Sequence, residues 1–324
     1  MLRGILLLVC IGIFLLSARE AEAGAANRFP EREGKIAVPG GNIWYKIVNP
    51  AAKGVPLICI HGGPGMPHDY LEPLEDLADE RPVIFYDQLG CGNSDIPTET
   101  SLWQVERFIV ELDILRQQLG IDRCYLLGQS WGSMLAAAYL TQDKTPAGVE
   151  AVIFAGPALS APRFINDTKT LVEALPPTTR AIISDCERRG DYENPQYQEA
   201  LQLFYSLHVC RIPWPDYVLR ALGKMGMAQY SYMWGPSEFT ATGILKNFDA
   251  TPKLPLLKIP VLLTCGEFDE ATPVATMYYA SLLPNSQYVV YKNASHLHHG
   301  ERRADFVIDV REFLNNKKLQ SGWK

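Results

Sequence analysis

The sequence has no surplus of basic charge. Lysine and arginine number 30 against 36 aspartates and glutamates, for a net charge of -6 over 324 residues. Without a basic excess there is no electrostatic footprint for nucleic acid, which is excluded as an expected partner. Long hydrophobic runs are also scarce. One stands out, Ile5 to Leu16, and it is shorter than the roughly 20 residues a membrane-spanning helix needs. Cysteine and histidine never fall at the spacings of a zinc site, so no metal is expected, and no cofactor either. Internal repeats and low-complexity tracts are missing. The glycine-rich stretch His61-Gly62-Gly63-Pro64-Gly65 lacks the Lys-Ser/Thr that would make it a phosphate loop.

What is present begins with an address. Arg3 precedes the apolar run, and Ala21-Glu22-Ala23 follows it, which is the order of a signal peptide and its cleavage site. Residues 1–23 are therefore expected to be removed on export, leaving a secreted or periplasmic protein with no stable membrane insertion; an uncleaved anchor is the alternative. Cys59, Cys91, Cys124, Cys186, Cys210 and Cys265 remain beyond that segment. Export permits disulfides. Cys59 and Cys265 lie in apolar runs and read as inert core thiols, whereas Cys186 and Cys210 lie in a polar helical stretch and are expected to pair.

Short apolar runs bounded by turn residues recur along the chain: Val55 to Ile60, Pro82 to Tyr86, Cys124 to Leu127, Val149 to Phe154, Val261 to Cys265 and Gln287 to Tyr291. Such runs suit buried parallel strands. Helical patterns separate several of them, as at Val105 to Leu119 and Ser133 to Thr141, which implies an α/β fold with helices on both faces of a mostly parallel sheet. The alternation stops between about Ala158 and Glu238, a stretch rich in helix formers, prolines and aromatics. It reads as a helical cap (158–240) inserted between two parts of the core, 24–157 and 241–324.

The chemistry concentrates at the ends of the strand-like runs. Gly128-Gln129-Ser130-Trp131-Gly132 is G-x-S-x-G between a strand and a helix, the setting of a nucleophile elbow. Ser130 needs a base, and in such folds the acid and the histidine follow the serine in chain order. Asp269 follows the run Val261 to Cys265, and His296 follows Gln287 to Tyr291, so all three fall at one edge of the sheet. His296 would take the Ser130 proton and Asp269 would orient the imidazole. The alternative for Asp269 is a helix N-cap. His298 and His299 are competitors, read as solvated loop residues. Gly63, in the loop after the first run, and Trp131 are expected to supply the oxyanion N–H groups.

With these motifs in place, the chain resembles the proline iminopeptidase family of α/β-hydrolases, most of all the branch of the archaeal tricorn-interacting aminopeptidase. Further stretches carry the resemblance: Gly65-Met66-Pro67-His68-Asp69-Tyr70-Leu71, Phe85 to Ser94, Gly235-Pro236-Ser237-Glu238-Phe239-Thr240 with Gly243, Gly266 to Pro273, and Ser295-His296-Leu297. It spans roughly residues 35 to 315, with the cap matched weakly. The resemblance implies the α/β-hydrolase fold, the triad Ser130, Asp269 and His296, and release of N-terminal proline or other apolar residues from short peptides. It also implies that Glu238 and Glu270 bind the free α-amino group of a peptide or aminoacyl substrate. Carboxylates beside the acyl pocket would favour a charged N-terminus over internal amides. Many members carry further glycines around the nucleophile, where this chain has Gln129 and Ser133. An amino-acid amidase or esterase on the same fold is the enzymatic alternative, and a non-catalytic binding protein on a hydrolase scaffold is the alternative of another class.

Overall fold

Four of the apolar runs become strands in which every residue is buried, and the reason is where they sit. In this computed structural model, which describes residues 28–316, 319 and 321–324, β3 (Leu57–Ile60), β4 (Val83–Asp87), β5 (Cys124–Gln129) and β7 (Val261–Gly266) have no exposed position. Helices cover both faces of a parallel sheet, so its strands need no polar side. β6 (Val149–Ala155) and β8 (Ser286–Tyr291) complete the parallel set. The expected leader, residues 1–23, lies outside the described residues.

Among the described residues one nine-stranded sheet has the order β1-β2-β4-β3-β5-β6-β7-β8-β9. Three of its strands were not legible as apolar runs. β1 (Glu31–Val38) and β2 (Gly41–Val48) form an antiparallel hairpin in which Ile36 faces Ile43, and β2 also pairs antiparallel with β4. β1 carries Glu31, Glu33 and Lys35 on its exposed side and buries only Ile36 and Val38. That charged face suits the edge of a sheet. β9 (Gly322–Trp323) is a two-residue addition beside β8.

After β3 the chain passes to β4 on one side, then returns through α1 (Val105–Gln118) to β5 on the other. The crevice between the C-terminal ends of β3 and β5 is thus the switch point of the sheet, the usual place for a ligand in such folds. α2 (Trp131–Leu140) begins directly at this crevice. Between β6 and β7 the chain forms α3 (Ala161–Glu173), α4 (Pro177–Arg189), α5 (Pro195–His208), α6 (Asp216–Gly223) and α7 (Met227–Met233). α4 and α5 enclose a separate apolar cluster containing Ile183, Cys186, Tyr197, Phe204 and Phe239. α8 (Pro273–Leu282) follows β7, and α9 (His298–Glu301) and α10 (Arg303–Leu314) follow β8.

The expected Cys186–Cys210 disulfide is not formed. Both are free, buried thiols. Cys186 belongs to the α4–α5 cluster, whereas Cys210, past the end of α5, packs into the main core with Val218 and Leu297. Two different cores hold the two sulfurs.

Candidate active site

Ser130 sits in a backbone conformation that non-glycine residues seldom adopt, with φ 55° and ψ -121°. Strain of that kind persists only where the surroundings impose it, and here the flanking glycines show how. A Cβ on Gly128 would lie 2.2 Å from the Gly132 carbonyl oxygen, and one on Gly132 would lie 2.1 Å from the carbonyl oxygen of Ile60. The turn can be this tight, and α2 can approach β3 this closely, only with glycine at both positions. The Ser130 N–H donates to Ala155 O at 2.9 Å, and Ser133 Oγ donates to Ser130 O at 2.6 Å. Ser130 remains half-buried at the mouth of the switch-point crevice.

The loop after β3 closes the other side. Gly63 has φ 103°, open to glycine without penalty. The Gly62 N–H is already engaged, donating to the Tyr70 hydroxyl at 2.7 Å. Gly63, Ser130 and Trp131 line one narrow cavity with Met134, Phe164, Trp234 and Glu238. The residues expected to supply a nucleophile and two oxyanion donors are therefore brought to one place, against apolar walls contributed by α3 and the end of α7.

Asp269 and His296 are in direct contact, with Asp269 Oδ1 2.7 Å from His296 Nδ1. Asp269 also accepts from the Ala271 N–H at 2.7 Å. Burial by itself would raise the Asp269 carboxyl, but the facing imidazole outweighs it and holds the pKa down to about 2. Burial likewise works to lower His296, and the Asp269 charge and hydrogen bond outweigh it, so the imidazole pKa is raised above its usual 6.5. Asp269 does not cap α8; that position belongs to Thr272, whose side chain accepts from the Ala275 N–H. Gln129, directly before Ser130, donates from its side-chain amide to His296 O at 3.4 Å.

The two acids lie at the same centre. Glu238 lines the cavity, and its Oε1 accepts from the Tyr230 hydroxyl at 2.8 Å. Glu270 is 1% exposed, and neither of its carboxylate oxygens has a hydrogen-bond partner among the described residues. His296 Nε2 stands 3.8 Å from Glu270 Oε1. Burial pushes both carboxyls up, and for Glu270 the neighbouring Glu238 and Asp269 charges push further. A buried carboxylate without a donor is costly, and a cationic group placed between these acids would satisfy it. Among the described residues no group of three or more His, Cys, Asp or Glu side chains is placed to hold a metal ion.

The reading of His298 and His299 as solvated needs correction. Both are buried. His298 Nε2 lies 3.0 Å from Thr264 Oγ1, its ring stacks on Tyr291, and its Nδ1 is 3.6 Å from Asp269 Oδ2. His299 packs edge-on to Tyr70 and its Nε2 lies 3.0 Å from Tyr70 O. The partners Thr264, Tyr291 and Tyr70 come from other elements, so nothing in the polar neighbourhood of these histidines announced their burial. Tyr230 was likewise unmarked in the sequence, although its hydroxyl orients Glu238.

Comparison with known proteins agrees with this architecture. The family model described as alpha/beta hydrolase fold matches residues 55–302. A proline iminopeptidase of Heyndrickxia coagulans is 42% identical over 286 residues, covering 88% of this chain and 99% of that protein. Among solved structures, VinJ superposes with a TM-score of 0.85 at 31% identity, covering 89% of this chain and 99% of its own. The proline iminopeptidase of Mycobacterium smegmatis superposes with a TM-score of 0.81 at 32% identity, covering 88% and 98%.

Proposed function

Because this chain belongs to the proline iminopeptidase family of α/β-hydrolases, we propose that it is a secreted serine aminopeptidase releasing N-terminal proline or other apolar residues from short peptides. One observation carries the exopeptidase part of this reading. Glu270 is a buried carboxylate without a hydrogen-bond partner, beside Glu238 and 3.8 Å from the His296 imidazole. An ester carries no cation for such a site, whereas the α-ammonium of a peptide does.

The geometry supports one course for this reaction. The substrate ammonium lies between Glu238 and Glu270, and its side chain rests against Met134, Phe164 and Trp234. His296 Nε2 takes the Ser130 hydroxyl proton as Oγ attacks the first carbonyl carbon. Asp269 holds the resulting imidazolium. The carbonyl oxygen becomes an oxyanion facing the Gly63 and Trp131 N–H groups. The C–N bond then breaks, His296 returns the proton to the departing amine, and an aminoacyl ester remains on Ser130. Water, deprotonated by His296, attacks that ester, releasing the amino acid and restoring the Ser130 hydroxyl.

The test is a panel of aminoacyl amides, short peptides, their N-acetylated forms and a small neutral ester. The expected result is turnover of free-amine amides with loss of activity on N-blocking. Equal rates on blocked and free substrates would make the protein a general esterase. A preference for amides of single amino acids over peptides would favour the amidase reading. A fluorophosphonate probe is expected to label wild-type Ser130 and to fail on Ser130→Ala; an unlabelled wild type would favour a binding protein.

A further inference from the structure

We infer that Gln88 is a positioning residue that fixes the two halves of the oxyanion hole relative to one another, an inference that rests on the reading of Ser130 as nucleophile. Gln88 follows the last residue of β4, is fully buried, and touches both halves. Its side-chain amide nitrogen donates to His61 O at 3.0 Å, in the loop that continues into Gly62 and Gly63. Its side-chain oxygen accepts from the Trp131 indole N–H at 2.9 Å. Its backbone N–H donates to His61 Nε2 at 2.9 Å. β3 lies between β4 and β5, so this one residue reaches from the end of β4, past the end of β3, to Trp131, the residue after Ser130.

The orientation of the Gln88 amide is dictated by its partners. His61 O can only accept and an indole N–H can only donate, so the NH₂ must face the loop and the carbonyl must face Trp131. The His61 tautomer is fixed in the same way. Its Nε2 accepts from the Gln88 backbone, so its proton is on Nδ1, 3.0 Å from Gly62 O. Burial keeps this ring neutral by lowering its pKa to about 4. The result is a closed set of directional bonds from the loop, through Gln88, to the Trp131 ring.

Such a tie has a reason. A glycine-rich loop has soft dihedrals, yet an oxyanion hole works only when its donors stand about 3 Å from where the charge develops. Tyr70 anchors Gly62 from one side and donates to Gln129 Oε1 at 2.7 Å, which ties the loop to the residue before Ser130. Gln88 makes the hydrogen bond that ties the loop to the Trp131 side chain, whose ring also packs edge-on to Phe108. Losing the tie lets the distance between the Gly63 and Trp131 donors drift, and a shift of about 1 Å at such a site costs on the order of a hundredfold in rate.

The experiment compares Gln88→Leu, Gln88→Glu and Trp131→Phe with the wild type on a free-amine aminoacyl amide. Trp131→Phe keeps the backbone N–H and an aromatic ring while removing the indole N–H that donates to Gln88. Expected is a fall in kcat of roughly ten- to a hundredfold for Gln88→Leu, with KM within about threefold. Trp131→Phe should fall less, and the double variant no further than Gln88→Leu alone, because both break one link. A peptide aldehyde, whose adduct places an oxyanion in the hole, should lose affinity by the factor lost in kcat/KM. Binding of the product amino acid should not change. Gln88→Glu keeps the acceptor for the indole but turns a charged oxygen toward His61 O, and should also lose kcat. It and Trp131→Phe carry the test if Gln88→Leu does not fold. Wild-type kcat in the folded variants, or a loss confined to KM, overturns the proposal. Failure of the probe to label wild-type Ser130 would instead overturn the reading on which it rests.

Discussion

The His296–Asp269 pair determines how the activity should respond to acid. Only neutral His296 can accept the Ser130 proton, and Asp269, held near pKa 2, stays ionised through any assay range. Because the His296 pKa is raised above 6.5, activity should fall as pH drops through a value above 6.5, and fall again on the alkaline side as the substrate amine, with a pKa of about 7.7–8.0, loses its proton. Asp269→Asn removes the largest cause of that elevation, leaving the smaller pull of Glu238 and Glu301. The acid limb should then move to lower pH while kcat drops by about 10⁴-fold; pH–rate profiles of both proteins check this. An unchanged limb would mean that another acid, not Asp269, faces the histidine in solution. The two glutamates predict a second divergence. Glu270→Gln should reduce kcat/KM for a free-amine amide roughly ten- to a hundredfold, since one charge-assisted contact is worth about 1.5–3 kcal/mol. A small neutral ester should be hydrolysed at nearly the wild-type rate by the same variant. Glu238→Gln should act in the same direction, and Tyr230→Phe, which removes only the hydroxyl donating to Glu238, should act more weakly. Parallel losses on amide and ester would show that the acids support the fold and do not recognise an amine.

Elements hold these residues by how closely they approach, and at Gly132 α2 comes against the backbone of β3. A methyl group there meets backbone oxygen, not the end of a flexible side chain. Gly132→Ala should therefore push α2 away from β3, lower stability by about 1–3 kcal/mol and displace Ser130. Thermal denaturation and Ser130 labelling in the same sample check this, and wild-type values in both would show that the helix can shift freely. The same elements show what could be read in advance. β3 to β8 were legible because strands covered on both faces are mostly apolar, and the loops after β3, β5, β7 and β8 then had to carry the polar chemistry at one edge. The β1–β2 hairpin was not legible. β1 opens on the charged run Glu31-Arg32-Glu33 and its alternation Lys35-Ile36-Ala37-Val38 is too short to stand out, while β2 mixes Asn42 and Lys46 among its apolar residues. Motif and chain order pointed to Ser130, Asp269 and His296, and the last two are in contact. Neither pointed to the burial of His298 beside Asp269, because it is made by Thr264 and Tyr291, which lie on β7 and β8.

For the whole molecule, the thiols and the proposed export can be tested together. Cys59, Cys91, Cys124, Cys186, Cys210 and Cys265 are free and buried. Burial pushes Cys59, Cys91 and Cys265 well above the usual thiol range, Cys124 up to about 11 and Cys210 up to about 12. Thiolate is the reactive form, so these groups should resist oxidation even outside the cell. The fold needs no cross-link, because its sheet is covered on both faces by two large apolar clusters. The seventh cysteine, Cys10, lies within the proposed signal peptide. Protein collected after export should therefore have an intact mass beginning at Gly24. It should give almost no reaction with a thiol reagent while native, and six equivalents once denatured without reductant. Reductant should leave the unfolding temperature unchanged. Four equivalents instead of six would reveal a disulfide formed during export, and seven, with the mass of the full chain, would show that the leader stays attached as an anchor.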